Sequence, residues 1–121
     1  MNRKPIKSVE DFEVYQRAVR LFDDFLEKDL PVLRETFEGR VLAGNQLRCM
    51  DSICANMEEG YERKSGKELK NFFRISKGSV GEARGRYKRL KGLLPRQIAD
   101  KRIQELSEIR AMLAALIEKW K

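Results

Sequence analysis

Four stretches of this chain repeat apolar residues at spacings of three and four, the period of an amphipathic helix. The most regular lies near the carboxyl end and consists of Leu106, Ile109, Leu113, Leu116 and Trp120. No stretch shows the alternation typical of a strand. Because the connections are short, the pattern predicts an all-α fold, an antiparallel up-down-up-down four-helix bundle. A length of 121 residues suits one such domain over residues 1–121.

The first helix is predicted to begin after Ser8 and to run to about Asp29, where Leu30-Pro31 ends it, because proline disfavours a helical residue before it. Residues 31–39 are expected to form a loop with an ordered Phe37. Two apolar patches mark the helix: a seam of Phe12, Tyr15, Val19, Phe22 and Leu26, and a second patch of Val14, Leu21 and Phe25. So broad an apolar surface predicts two packing neighbours, one of which could be another subunit.

The second helix is predicted to reach about Tyr61. Its core stripe consists of Leu42, Ala43, Leu47, Met50, Ile53, Cys54, Met57 and Tyr61. Cys54 lies on this stripe and Cys49 well off it, so a disulfide between them would need distorted geometry, and both are expected to be free core thiols. The chain has no histidine, and the two cysteines match neither a zinc pattern nor a redox Cys-x-x-Cys.

A third helix, capped by Ser65 and predicted to last to about Lys91, contains a glycine-rich run. Gly78, Gly81 and Gly85 gather opposite an apolar stripe that stays in phase from Leu69 to Leu90. Each glycine costs a helix roughly 1 kcal/mol relative to alanine, which suggests that another backbone or a phosphate chain approaches closely. The alternative is a kink near Gly78, but the unbroken stripe favours one continuous helix.

The second helix also carries a polar stripe, which consists of Asn45, Arg48, Ser52, Asn56, Glu59 and Arg63. It lies away from the core residues and combines several hydrogen-bonding groups, whereas an ordinary solvated face would be mostly Lys and Glu. Two interpretations remain open. The stripe is either a solvated face with pairs such as Glu59 and Arg63, or a polar protein–protein contact.

The net charge of +7 arises from one segment, since residues 84–102 hold eight basic residues against the single acid Asp100. We take these eight as the candidate nucleic-acid-binding residues: Arg84, Arg86, Lys88, Arg89, Lys91, Arg96, Lys101 and Arg102. Their positive potential would attract phosphates or an acidic protein. The alternative is that they are simply solvated cations on helix surfaces.

Catalysis needs a positioned base, nucleophile or metal, and the chain shows no clustered carboxylates converging on a core. We therefore predict no enzyme, no catalytic residue, no metal ligand, no cofactor and no small-molecule substrate. No apolar run approaches the roughly 20 residues of a membrane span, and residues 1–7 lack the apolar centre of a signal peptide. We expect a cytoplasmic protein without membrane contact.

Motifs in the second and third helices resemble the four-helix-bundle family encoded within 23S ribosomal RNA intervening sequences. They are Gln46-Leu47-Arg48, Ser52-Ile53, Asn56, Glu59-Gly60 and Arg63, then Lys77-Gly78-Ser79 and Glu82. The resemblance covers nearly the whole chain, since Phe12, Tyr15-Gln16, Ala18 and Lys67-Glu68 to Phe72 also fit. The chain departs from the pattern at Cys49-Met50-Asp51, which replaces Arg-Ala-Ala, and at Met57-Glu58, where small residues are usual.

That family is in turn similar to the accessory proteins of diversity-generating retroelements, which assemble as homopentamers and associate with a reverse transcriptase and nucleic acid. The resemblance implies a homo-oligomeric adaptor, a pentamer, whose partners are RNA, DNA or a reverse-transcriptase-like protein. The subunit interface it implies consists of Arg48, Ser52, Asn56, Glu59, Arg63, Gly78, Gly81, Glu82 and Gly85. The alternative is a structural protein–protein interaction module with no nucleic-acid role.

Overall fold

The computed structural model describes residues 5–120; residues 1–4 and 121, which the predicted single domain includes, lie outside that range. Within it the chain forms helices and no strand. A short 3-10 turn, Val9–Asp11, precedes them, and the α-helices are α1 (Glu13–Asp24), α2 (Leu30–Leu33), α3 (Phe37–Glu62), α4 (Gly66–Arg89) and α5 (Arg96–Lys119). A π-helical segment, Phe25–Asp29, joins α1 to α2, so the bundle has four long helical stretches around one core.

Pro31 does not end the first helix, and the loop predicted over residues 31–39 is confined to a turn at residues 34–36. Leu30 N–H donates to the Phe25 carbonyl five residues back, and this wider turn places Pro31 in the first turn of a new α-helical segment. Proline is tolerated there because a first-turn N–H has no partner within the helix. Phe37, expected in a loop, is the first residue of α3 and is 67% exposed.

Side-chain oxygens cap the amino ends of the two central helices. Thr36 Oγ1 accepts from Gly39 N–H at 3.0 Å, and Ser65 Oγ, the predicted cap of α4, accepts from Glu68 N–H at 3.5 Å. Such caps satisfy backbone donors that have no partner inside the helix. They fix the starts of α3 and α4, the helices that carry most of the candidate site.

The core uses both apolar patches of the first helix, and the second is the more deeply buried. Val14, Leu21 and Phe25 are at most 2% exposed, whereas the seam that begins at Phe12 is half-buried and Leu26, at its end, is 38% exposed. Within residues 5–120, no helix combines the length and apolar character that a membrane crossing requires.

Cys49 lies in the core, as predicted for both thiols, although it is off the main apolar stripe of its helix. Its thiol donates to Glu82 Oε1 at 3.1 Å, because α4 covers the side of α3 on which Cys49 lies. Both cysteines are buried and free, as predicted. Burial, together with the hydrogen bond and charge of Glu82, raises the pKa of the Cys49 thiol, and Arg86 partly opposes that rise.

Two glycines outside the predicted glycine stripe allow close approach of helices. A Cβ at Gly39 would lie 2.0 Å from the Leu33 carbonyl oxygen, and one at Gly60 would lie 2.8 Å from Phe72 Cβ. The turn after α2 and the packing of α3 on α4 therefore depend on these missing side chains. Helix α4 is continuous through Gly78, as the unbroken apolar stripe predicted.

Candidate subunit interface and basic surface

Helices α3 and α4 pack side by side in opposite directions, so residue numbers rise along one as they fall along the other. Gln46 Nε2 donates to the Ala83 carbonyl at 3.1 Å, the Ser52 and Ser79 hydroxyls lie 2.8 Å apart, and Ser76 Oγ donates to the Ile53 carbonyl at 2.7 Å. This packing places the polar stripe of α3 beside the outward side of α4. We call the combined surface the α3–α4 face; it comprises Arg48, Ser52, Asn56, Glu59 and Arg63 with Gly78, Ser79, Glu82 and Gly85.

The middle of the α3–α4 face differs from an ordinary solvated surface. Ser52 and Asn56 are half-buried, and Asn56 Nδ2 donates to the Ser52 carbonyl at 2.8 Å and to Ser52 Oγ at 2.9 Å. These bonds order a row of short polar side chains along the groove between the helices. Ordered short side chains lose little conformational entropy when a partner covers them.

The end of the α3–α4 face near Arg63 is solvated, which agrees with the interpretation of the polar stripe as a solvated face. Arg63 Nε donates to Glu59 Oε2 at 2.7 Å, and the Arg63 guanidinium lies 5.2 Å from the centre of the Phe72 ring. Both charged side chains are about half exposed. A pair of this kind contributes only about 0.3–0.5 kcal/mol to the stability of the fold. That contribution is too small to explain why Glu59 and Arg63 occur at these positions.

The glycines of α4 face open space. Apart from the nearby backbone of α4, a Cβ at Gly78 or Gly81 would have no atom within 4 Å, and one at Gly85 would meet only the Arg89 side chain, with Nη1 at 3.8 Å. No backbone within residues 5–120 approaches them, so the fold leaves their cost to helix stability without compensation. Helical spacing places Gly81 further toward α5, between Lys77 and Arg84.

Helices α3 and α4 also carry three exposed apolar side chains. Ile75, one turn before Gly78 on α4, is 51% exposed, and Val41 and Phe37, near the start of α3, are 55% and 67% exposed. The sequence analysis placed Phe37 in a loop and did not single out Ile75 or Val41. The positions of these side chains in the sequence indicate an outward face only when the core-facing side of each helix is known.

Arg102 is not part of the basic surface predicted from the sequence. It is 2% exposed, and its Nη1 donates to Glu105 Oε1 at 3.0 Å while its Nε and Nη2 bind Asp29. Burial alone would lower its pKa, but the hydrogen bonds of Asp29 and Glu105 and the charge of Asp29 hold that pKa above its ordinary value. Arg102 is therefore a structural cation of the core.

The other basic residues differ in their availability. Lys88, Arg89, Arg96 and Lys101 are exposed and have no acidic partner within residues 5–120, whereas Lys91 Nζ lies 3.1 Å from Asp100 Oδ1. Arg84 and Arg86 are half-buried, and the Nε of each is buried without a hydrogen-bond acceptor. Of the eight candidate residues, the four that are exposed and without an acidic partner in the described range lie where α4 ends and α5 begins.

The acidic and cysteine side chains, a buried tyrosine and an apolar cavity are the other features of the described residues that bear on chemistry. Across 5–120, no group of three or more acidic or cysteine side chains could hold a metal ion. Burial, with the charge and hydrogen bond of Asp29, raises the pKa of Tyr87, so its hydroxyl stays protonated. A cavity of about 920 Å³ lies at the bundle end near Phe12, Tyr61 and Trp120, and its walls are mainly apolar.

Comparison with known proteins places the chain among its relatives. Residues 10–115 match the sequence profile described as 23S rRNA-intervening sequence protein. The chain belongs to this family. The match includes every motif on which the resemblance was based, and it confirms that identification. No curated protein and no solved structure matched the chain.

Proposed function

We propose that this member of the family is a non-enzymatic, cytoplasmic homo-oligomeric adaptor, whose basic surface contacts nucleic acid or a nucleic-acid enzyme. One observation carries the proposal: α3 and α4 bring an ordered polar row and an open glycine strip together on one outward surface. The fold requires neither feature, and an interface between subunits would use both.

The glycine strip supports close contact between subunits. Glycines without a Cβ neighbour allow a second helix to approach nearer than ordinary side chains would, and the buried contact offsets their cost in the isolated chain. The exposed Ile75 and Val41 supply apolar area for the same contact. Five copies are proposed from the similarity to retroelement accessory proteins, whose homopentamers would place one such face at each subunit boundary.

The basic surface supports contact with phosphates. Lys88, Arg89 and Arg96 are exposed and free of acidic partners within the described range. Unpaired cations concentrated at one end of a bundle create a positive potential that attracts polyanions and raises their rate of association. An oligomer would repeat that potential in every subunit, which strengthens binding through multivalency.

The test is a salt series of RNA binding with matched charge reversals. The variant Lys88→Glu/Arg89→Glu/Arg96→Glu should weaken binding to a single-stranded RNA by about tenfold or more at about 50 mM salt. The control reverses three exposed cations on the first helix and its following turn, Arg20→Glu/Lys28→Glu/Arg34→Glu, and should change affinity far less. Fluorescence anisotropy measures both.

Equal losses in the two variants would contradict a localised basic surface, as would wild-type binding that is independent of salt. An oligomer that binds neither RNA, DNA nor a nucleic-acid enzyme would favour the alternative, a structural module whose cations are merely solvated. The Glu59–Arg63 pair and the solvated end of the α3–α4 face are compatible with that outcome.

A further inference from the structure

A second cavity lies in the groove between α4 and α5, on the side of α4 away from α3. Its volume is about 270 Å³, several times the roughly 30 Å³ that a water molecule occupies in the liquid. Its lining consists of Lys77, Arg84, Ser107, Arg110, Ala111 and Ala114. We call it the α4–α5 cleft.

The charges of the cleft are all positive. Lys77 and Arg84 lie seven residues apart on one side of α4, and Arg110 lies across from them on α5. None of the three has an acidic partner within residues 5–120, although ion pairs occur elsewhere in the bundle, such as Arg17 with Glu108. Three like charges around one concavity repel each other unless an anion lies between them.

Arg84 gives a second indication of an anionic ligand. Its Nε is buried and has no hydrogen-bond acceptor in the described chain, although an arginine Nε–H is a strong donor. A buried donor without an acceptor costs free energy that a bound oxygen would recover. Ser107 Oγ already donates to the Ile103 carbonyl at 2.9 Å, so its hydroxyl can only accept further bonds.

The size and shape of the cleft favour a phosphate group. Small side chains at Ala111 and Ala114 leave room between the cations, and Gly81, four residues after Lys77 and with no neighbour within 4 Å of a Cβ, keeps the adjoining edge of α4 open. The guanidinium group of an arginine can donate two parallel hydrogen bonds to two oxygens of one phosphate, and a lysine adds a compact positive charge.

We propose that the α4–α5 cleft binds one phosphate group through Lys77, Arg84 and Arg110. The phosphate is either free inorganic phosphate or part of a nucleic-acid backbone, and only the second source rests on the function proposed above. Of the candidate nucleic-acid-binding residues, Arg84 alone lines the cleft, while Lys88, Arg89 and Arg96 lie outside it. The cleft is therefore a site separate from the exposed basic surface.

The experiment follows the Arg84 Nε–H signal by nuclear magnetic resonance during titration with inorganic phosphate, against sodium chloride of equal ionic strength. The cleft variant Lys77→Gln/Arg110→Gln keeps the reporter and removes its two neighbours. The control variant Arg20→Gln/Arg34→Gln removes two exposed cations that lie outside both the cleft and the basic surface. Phosphate should shift the signal saturably in the wild type and the control, and the cleft variant should bind about tenfold or more weakly.

A second arm repeats the titration with a short single-stranded RNA and measures its affinity. If the cleft variant loses about tenfold more RNA affinity than the control, the nucleic-acid backbone supplies the phosphate. If the cleft and control variants lose RNA affinity equally, but the cleft variant still binds inorganic phosphate more weakly than the control, free phosphate is the ligand. The cleft proposal is overturned if neither phosphate nor RNA shifts Arg84 Nε–H saturably, or if the cleft and control variants respond alike to both. Absence of RNA binding by the wild type would instead count against the proposed function.

Discussion

Asp29 and Arg102 form a doubly hydrogen-bonded ion pair inside the bundle, with Arg102 Nε 2.9 Å from Asp29 Oδ2 and Nη2 3.1 Å from Oδ1. Tyr87 Oη donates to the same carboxylate at 2.6 Å. The three side chains come from the π-helical segment, α5 and α4, and each is at most 2% exposed. The cluster fixes the position of the widened turn of the first helix against two neighbouring helices.

Breaking this pair from one side is expected to cost about 3–5 kcal/mol in the free energy of unfolding, because it leaves a buried charge without a partner. Arg102→Met and Asp29→Leu should each show this loss in urea denaturation followed by circular dichroism. The double variant should recover much of it. The control Arg96→Met removes an exposed cation and should change stability by no more than about 0.5 kcal/mol.

Additive losses in the double variant would contradict coupling between Asp29 and Arg102. Single variants as stable as the wild type would show that the pair contributes nothing to the fold.

Two glycine-to-alanine substitutions should act in opposite directions on the stability of the single chain. Gly78→Ala adds a Cβ in open space and should raise the free energy of unfolding by about 0.5–1 kcal/mol, measured at concentrations where the chain is dissociated. Gly39→Ala drives a Cβ to 2.0 Å from the Leu33 carbonyl oxygen and should lower it by about 1–3 kcal/mol. A destabilised Gly78→Ala chain would mean that another part of the same chain covers this strip.

Cys54 should make stability fall in alkaline solution. Burial, together with the charges of Glu58 and other nearby acids, raises the pKa of its thiol from 9.0 to about 12. Below pH 9 the thiol is protonated in both the folded and the unfolded chain, so its contribution to stability is at its maximum. Above that, the unfolded chain loses the proton first, so stability falls as the pH rises toward 12.

The measurement is urea unfolding of the wild type and Cys54→Ala from pH 8 to pH 11. The two proteins can differ in their free energy of unfolding at pH 8. Between pH 8 and pH 11, the wild type should lose more of that free energy than Cys54→Ala does. Parallel losses in the two proteins would refute the raised pKa.

Local sequence rules predicted the helices but not every boundary. The stripes of α4 and α5 were predicted from spacing alone, because each helix buries one continuous side. The boundary at Pro31 was predicted from the rule that proline disfavours a helical residue before it, and this rule considers only neighbouring residues. The π-helical turn that accommodates Pro31 is held by the contacts of Asp29 in the core, which that rule does not include. Cys49 is buried although it lies off the main stripe of α3, because the residues that cover it come from α4.

The candidate site was predictable in part. The polar and glycine stripes were visible on separate helices, but only the packing of α3 on α4 shows that they share one surface. Arg102 carried the same sequence signal as its exposed neighbours, and its partner Asp29 lies 73 residues away. The α4–α5 cleft was likewise invisible, because Arg110 joins Lys77 and Arg84 only in three dimensions.

The most direct measurement is sedimentation equilibrium of the wild type and of Gly78→Leu over a range of micromolar concentrations. If the α3–α4 face joins subunits, the wild type should have five times the 14.2 kDa mass of one chain, and Gly78→Leu should dissociate while keeping its helical circular dichroism. A wild type that sediments as a single chain at every concentration would contradict the assembly on which the adaptor depends.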